Sequence, residues 1–351
     1  MRKKTVSLKD VAEAAGVSTA LASFVLNGKQ RKYRVSDAMA EKVKEIAKNL
    51  NYQPNGFAKS LRVGSSKIIG VVISDIANQF FADIARHIEK KASELGYMAL
   101  FVSSDENAEN MARQVEKLLG KGVDGIIAVP CDNSQNIIKS LADRQIPLVL
   151  IDRYIPGLRT DYVCLNNFLA AANATAHLID SGYRKIAFIG YNPTMTHMMG
   201  RLEGYKQTMA DKGLKDNILR CTVDPCNLEK TCEKALRNIK EKGFEAAIMA
   251  TNTIATKCLH KIQKQGVKVP ADLALVGFDG GGAFDFFYAP LTWIKQPLEL
   301  IASKAVEILV DKLTSSNAML QQIEIDGELI IRASSERKGA GKRKIAVASK
   351  D

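Results

Sequence analysis

Histidine is scarce in this 351-residue sequence: His87, His177, His197 and His260 are scattered, and none stands at metal-ligand spacing from another. The six cysteines, Cys131, Cys164, Cys221, Cys226, Cys232 and Cys258, form no CxxC pair and have no histidine partner, so they read as reduced structural thiols rather than a metal cage or disulfide frame. Long apolar runs are missing too. Nothing approaches the roughly 18 residues of a membrane span. Met1 to Asp10 lack the apolar core of an export signal, so a cytoplasmic protein with no membrane partner is expected. No GxGxxG follows any strand-like run, which removes the usual dinucleotide cradle. No nucleophile stands with a base, a metal cluster or a cofactor loop, so the sequence reads as a non-enzyme that needs neither metal nor cofactor.

What is present is a lopsided charge. Residues 1 to 67 hold 14 Lys and Arg against 5 Asp and Glu, and residues 332 to 351 hold 7 against 2, while the stretch between holds 29 against 31. A basic head on a near-neutral body points to nucleic acid, because no basic amphipathic helix of the membrane-binding type accompanies it.

The head carries helix punctuation. Ser7-Leu8-Lys9-Asp10 has the form of an N-cap with an acid three residues on, Val11, Ala12 and Ala15 supply an apolar face, and Gly16 ends the helix. Ser18 caps a second short helix through Leu26, stopped by Asn27-Gly28. Helix, glycine turn and helix together describe a helix-turn-helix. A third helix from Ser36 carries Met39, Val43, Ile46 and Leu50 as a stripe expected to cover the first two. Pro54 ends it, and Gly56 to Arg62 then offers a turn or two of helix, too short to be stable alone in water and fitted to fold against DNA with an apolar wedge.

Ser7 to Ala12, Gly16-Val17-Ser18, Ser23, Asn27, Asn51 to Asn55 and Ala58 to Leu61 together resemble the head and hinge of LacI/GalR-type transcriptional regulators, and the resemblance runs to about residue 335. It implies a helix-turn-helix head over 1–53, a hinge helix and linker over 54–66, a two-lobed ligand-binding and dimerisation domain over 67–335, and a basic tail over 336–351 without a tetramerising heptad. A homodimer would then hold a pseudo-palindromic, double-stranded operator. Ser18, Thr19, Ala20, Ser23, Phe24 and Asn27 would meet bases and backbone from the second helix. The loop cations Lys29, Arg31, Lys32 and Arg34 would meet phosphates. Asn55, Ala58, Lys59 and Leu61 would serve the minor groove.

Two head positions depart from relatives, which often carry threonine at Leu21 and a base-reading Arg or His at Phe24. Leu21 and Phe24 can pack in the head or touch DNA, and a phenylalanine offers only apolar contact, for instance to a thymine methyl. The loop from Gly28 to Arg34 is also longer than in many relatives.

From Lys67 onward, strand-length apolar runs alternate with amphipathic segments. The runs are Ile68 to Ile73, Met98 to Val102, Gly125 to Val129, Leu148 to Ile151, Ile186 to Ile189, Ala246 to Ala250 and Leu273 to Val276. This is an α/β pattern of parallel sheets, with about nine strands expected, more than one comfortable sheet holds. Two Rossmann-like lobes follow, with a break near Tyr162 to Asn167, a return near Ala289 to Gln296, and Gly280-Gly281-Gly282 as a flexible crossover.

Ligands of open α/β sheets sit at the carboxyl ends of strands. Family likeness to periplasmic sugar-binding proteins places Asn78, Phe80, Phe81, Asp152, Arg153, Asn192, Met199, Arg201, Asn252, Asp279 and Gln296 around a small-molecule effector. The effector implied is a carbohydrate, with a nucleobase or other metabolite as the alternative. Met199 stands where many sugar-responsive relatives have a hydrogen-bonding arginine, and Asn166-Asn167 where Asp-Asn is usual, which weakens the case for an ordinary hexose. A stand-alone solute-binding protein would share the lobes but have no use for the head, and Asp152 with Asp279 could be drawn as an acid–base pair were there turnover.

Overall fold

A computed structural model of the chain describes residues 6–53, 64–192, 194–315 and 317–337. The chain divides into two compact units, Met1–Ser66 and Lys67–Asp351.

The first holds α1 (Leu8–Ala15), α2 (Thr19–Leu26) and α3 (Asp37–Asn49). Ser7 and Asp10 form a reciprocal capping box: the Ser7 N–H donates to Asp10 Oδ2 at 2.7 Å and the Asp10 N–H to Ser7 Oγ at 3.3 Å. Gly16 ends α1 at φ 69°, a left-handed backbone that a Cβ disfavours. Ser18 Oγ caps α2 by accepting from the Leu21 N–H at 3.2 Å. Val11, Ala12, Ala15, Ala22, Val25, Ala40, Val43 and Ala47 make the core. The inward stripe of α3 is therefore Ala40, Val43 and Ala47, one step round from the expected Met39, Val43, Ile46 and Leu50. Met39 and Ile46 are half-buried and Leu50 is exposed. Three short helices approach closely only across small side chains, and the larger ones fall to the flanks.

The second unit contains two six-stranded sheets. One has the order β11-β5-β4-β3-β1-β2, built from β1 (Ile68–Ile73), β2 (Met98–Ser103), β3 (Gly125–Ala128), β4 (Leu148–Ile151), β5 (Asp161–Leu165) and β11 (Gln322–Ile325). The other has the order β12-β10-β9-β8-β6-β7, from β6 (Ile186–Gly190), β7 (Ile218–Thr222), β8 (Ala246–Met249), β9 (Ala274–Phe278), β10 (Thr292–Lys295) and β12 (Glu328–Ile330). Every described pairing is parallel except β10 with β12. Central strands such as β1, β3, β4 and β8 are buried almost end to end, as sheets covered on both faces require.

The chain passes between the lobes three times. The first crossing joins β5 to the helix Asn167–Asp180, inside the expected break, although a strand fills much of that segment. The second joins β10 to the helix Leu298–Thr314 through Gln296-Pro297, at the end of the expected return. The third, β11 to β12 through Asp326-Gly327, was not expected. Gly280 to Gly282 makes no crossing. It joins β9 to a short helix, Gly282–Phe286, within one lobe, and Gly280 is required because a Cβ there would lie 2.6 Å from the Trp293 ring. Among the described residues, no helix is long and apolar enough to cross a membrane.

Candidate functional site

In the head, α2 presents Thr19 and Ala20 to solvent, whereas Ser23 is buried. The Ser23 carbonyl and Oγ accept from Asn27 Nδ2 at 2.7 and 3.3 Å, so this serine, expected among the exposed positions, is committed to ending its own helix. Leu21 packs against the head core, the first of its two open readings. Phe24 is half-buried and stands outside the head's core cluster. Its ring stacks on Tyr33, with centroids 3.6 Å apart and planes 3° from parallel. Lys29, Arg31, Lys32 and Arg34 are all exposed. Asn55, Ala58, Lys59 and Leu61 lie outside the described residues.

In the body, a cavity of about 590 Å³ opens between the two sheets. Its wall is built from strand ends, where the backbone turns away and leaves side chains pointing past the sheet. Asp152 follows β4 and Asp279 follows β9, both at positive φ, 67° and 68°. Asn78 accepts from the Phe80 N–H at 3.1 Å and caps the helix Gln79–Glu94, which brings Phe80 and Phe81 to the cavity as an edge-to-face pair 4.9 Å apart.

Two guanidiniums face the cavity, one from each lobe. Arg153 is clamped bidentately by Glu106, at 2.8 and 3.1 Å, and its Nε donates to Asp152 Oδ2 at 3.0 Å. Burial alone would lower the Arg153 pKa, but these two carboxylates more than reverse that and raise it. Burial raises the Asp152 pKa, with Arg153 and Arg201 opposing and Asp279 adding to the rise. Arg201, 1% exposed, donates from Nε to Asn167 Oδ1 at 2.8 Å and from Nη1 to the Ala250 carbonyl at 2.5 Å and Asp279 Oδ2 at 3.4 Å. Its guanidinium lies 4.2 Å from the Phe278 ring centre.

His197 completes the wall. Burial and the charges of Arg153 and Arg201 hold its pKa well below the ordinary value, so it is neutral, and its buried Nδ1 has no hydrogen-bond partner among the described residues. Burial pushes the Tyr191 phenol up to about 12 and keeps it a neutral donor. Hydrogen bonds join the lobes at the cavity wall, where Asn252 Nδ2 donates to Asn78 Oδ1 at 2.8 Å, and away from it, where the Tyr154 N–H donates to Thr196 Oγ1 at 3.2 Å and that hydroxyl donates to the Tyr154 carbonyl at 3.3 Å.

Nine of the eleven residues expected at the effector line this cavity. Met199 does not: it is 48% exposed, and its neighbour Met198 takes the wall position, one helical step being enough to turn a side chain from cavity to solvent. The residue type at 199 therefore does not shape this wall. Gln296 lines an adjoining cavity of about 820 Å³ and reaches the first only through Asp279, donating from Nε2 to Asp279 Oδ1 at 2.5 Å. Asp105, Glu106 and Asp132 line the wall without having been singled out. They follow β2 and β3, whose carboxyl ends bring acids to the cavity just as the ends of β4 and β9 do.

Comparison with known proteins accounts for both units. Residues 7–55 match the family model "Bacterial regulatory proteins, lacI family", and residues 175–335 match "Periplasmic binding protein-like domain". The HTH-type transcriptional repressor PurR of Photobacterium profundum is 30% identical over 330 residues, covering 93% of this chain and 98% of that protein. This chain belongs to the LacI family. The family's PurR of Histophilus somni is likewise 30% identical over 332 residues, with 93% and 98% covered. A solved structure, the transcriptional regulator CelR–cellobiose complex, is 25% identical with a TM-score of 0.69 over 94% of this chain and 99% of that one. The lac repressor dimer bound to operator and the anti-inducer ONPF, 24% identical, shares the fold with a TM-score of 0.84 over 95% and 100%. Membership in the family makes this chain a DNA-binding regulator of transcription.

Proposed function

We propose that this protein is a cytoplasmic homodimeric repressor, without enzymatic activity, whose hold on a pseudo-palindromic operator is set by an uncharged, polyhydroxylated metabolite bound between its lobes. The observation that carries the effector's class is the charge of the cavity wall. Six carboxylates, Asp75, Asp105, Glu106, Asp132, Asp152 and Asp279, face two guanidiniums, Arg153 and Arg201, both already paired with acids. An anionic ligand would enter against a net negative field with no cation free to receive it. Hydroxyl groups suit this wall: carboxylates and Asn78, Asn192 and Asn252 accept from them, and the unpartnered His197 Nδ1 accepts or donates by tautomer. Phe80 and Phe81 supply an apolar face.

An uncharged nucleobase is the second reading. The planar rims of Phe80, Phe81 and Tyr191 favour it, and the curated relatives named above are PurR proteins.

In the proposed division of labour, 1–53 reads the operator, 54–66 is the hinge, 67–335 binds effector and partner subunit, and 336–351 is a basic tail. Thr19 and Ala20 are the α2 residues free to reach base edges, with Ser18 and Asn27 toward the backbone. Asn55, Ala58 and Lys59 accompany Leu61 as the minor-groove wedge. The cross-cavity bond Asn252–Asn78 is the one that a bound ligand would strengthen or displace, changing the angle between lobes, with Tyr154–Thr196 a second inter-lobe bond that such a change would load. Coupling between effector and operator is reciprocal.

The test begins with purified full-length protein and genomic fragments, without and with a pooled metabolite extract. Enrichment of a short palindrome that changes on adding extract supports the reading, and no enrichment in either condition sinks it. Titration with neutral sugars, their phosphate esters and nucleobases then assigns the class. Tighter binding of a phosphate ester than of its parent sugar would refute an uncharged effector.

A further inference from the structure

We infer that the loop after α2 is a preformed phosphate clamp, and that Phe24 and Tyr33 are the positioning residues that hold it against the DNA-facing side of the head. The inference rests on the head binding DNA and says how this loop contributes.

The loop is held by its own backbone hydrogen bonds. The Lys29 N–H donates to the Phe24 carbonyl at 2.8 Å, the Tyr33 N–H to the Lys29 carbonyl at 3.2 Å, and the Val35 N–H to the Gln30 carbonyl at 2.9 Å. Arg34 takes a left-handed backbone, φ 53°, that turns the chain back toward α3. Within this turn Lys29, Arg31, Lys32 and Arg34 are exposed, no acid interrupts them, and no carboxylate pairs with any of them among the described residues. Four like charges in six residues repel one another, so an untethered loop would splay into solvent.

The tether is the ring stack. Phe24 lies four residues after Ala20, so the two share a face of α2, and that face is the exposed one from which Thr19 and Ala20 reach out. Tyr33 lies flat on Phe24. The ring pair thus fixes the cations beside the helix face that enters the major groove, at the groove's edge, where phosphates run. One face of Phe24 is covered by Tyr33, which gives the ring a task beyond core packing or base contact.

A clamp of this kind adds affinity without sequence preference. Each phosphate contact contributes about 0.9 to the slope of log K against log salt. Losing one contact per loop in a dimer therefore lowers the slope by about two.

The experiment uses full-length protein and a mixed-sequence duplex, read by fluorescence anisotropy across a salt series, so the operator need not be known. Tyr33→Ala keeps every charge but removes the stack. It is expected to bind about tenfold more weakly with a shallower slope. Tyr33→Phe, which keeps the stack, restores both. Lys29→Gln/Arg31→Gln/Lys32→Gln keeps the stack and removes charge, and must also flatten the slope. Wild-type affinity and slope in Tyr33→Ala, failure of Tyr33→Phe to restore them, or an unchanged slope in the glutamine variant would each overturn the clamp. If the wild type shows no salt-dependent duplex binding, the DNA-binding reading of the head itself fails.

Discussion

Gly204→Ala is a substitution on which two effects of known size oppose each other. Gly204 lies inside the helix Thr196–Asp211, where alanine is the better helix former by about 1 kcal/mol. Propensity alone predicts a more stable protein. A Cβ at 204, however, would sit 2.1 Å from the Phe168 carbonyl oxygen and 3.1 Å from the Ala172 nitrogen, both backbone atoms of the neighbouring helix Asn167–Asp180. A backbone oxygen cannot rotate aside as a side-chain tip can, so the helices must part by about 1 Å to restore ordinary contact. Overpacking of this kind costs about 1–3 kcal/mol, and a contact this short belongs at the upper end. The net expectation is a loss of about 2 kcal/mol, or roughly 3–4 °C in Tm for a body of this size. Thermal unfolding followed by circular dichroism measures it. The same helix carries His197, Met198 and Arg201, so separation also draws Arg201 from Asn167 Oδ1, now 2.8 Å away, and blunts the effector response while the head's salt-dependent DNA binding stays as it was. A variant as stable as wild type, or more so, would refute the argument.

Other outcomes are expected on the same footing. Arg201→Met strands Asp279 in a buried site and should cost about 3–5 kcal/mol in urea unfolding, much of it recovered in Arg201→Met/Asp279→Asn. His197 is held neutral in the fold but protonates near pH 6.5 when unfolded, so the unfolded chain binds more protons below that pH. Stability present above about pH 6.5 is then lost as pH falls, at about 1.4 kcal/mol per unit from this one residue. Melts from pH 7.5 to 5.5 should fall less steeply in His197→Gln, and parallel curves would count against it. Leu61→Ala should weaken operator binding far more than binding to unrelated duplex, and equal losses on both would remove the wedge.

How far the sequence could be read depended on the side chains that mark each feature. The buried strands were legible because Ile, Val and Leu run unbroken through β1, β4 and their like. Of the strands that escaped, β7 (ILRCT), β11 (QIEI) and β12 (ELI) stand at sheet edges, where polar residues interrupt the run, while β5 (DYVCL) and β10 (TWIK) lie inside their sheets but are short and begin or end on polar residues, so their segments read as crossings. The head's caps were legible because Ser7, Gly16 and Ser18 act on atoms three or four residues away. Helical phase was harder to read. Met198 and Met199 are chemically identical neighbours, and only packing against the next helix decides which of them faces the cavity. Tyr33 over Phe24 was invisible for another reason, since nothing local announces that a ring nine residues on will return to stack.

The threefold passage between lobes has a consequence for how the protein comes to be. β11 and β12 follow one another in sequence, yet one completes the edge of the first sheet and the other the edge of the second. Neither sheet is whole until residues 322–330 have been synthesised, so a nascent chain leaving the ribosome carries two unfinished sheets with open edges at once. The head, whose core is drawn from residues Val6 to Tyr52, has no such delay. Synthesis from the amino end therefore yields a folded DNA reader before there is a body to govern it.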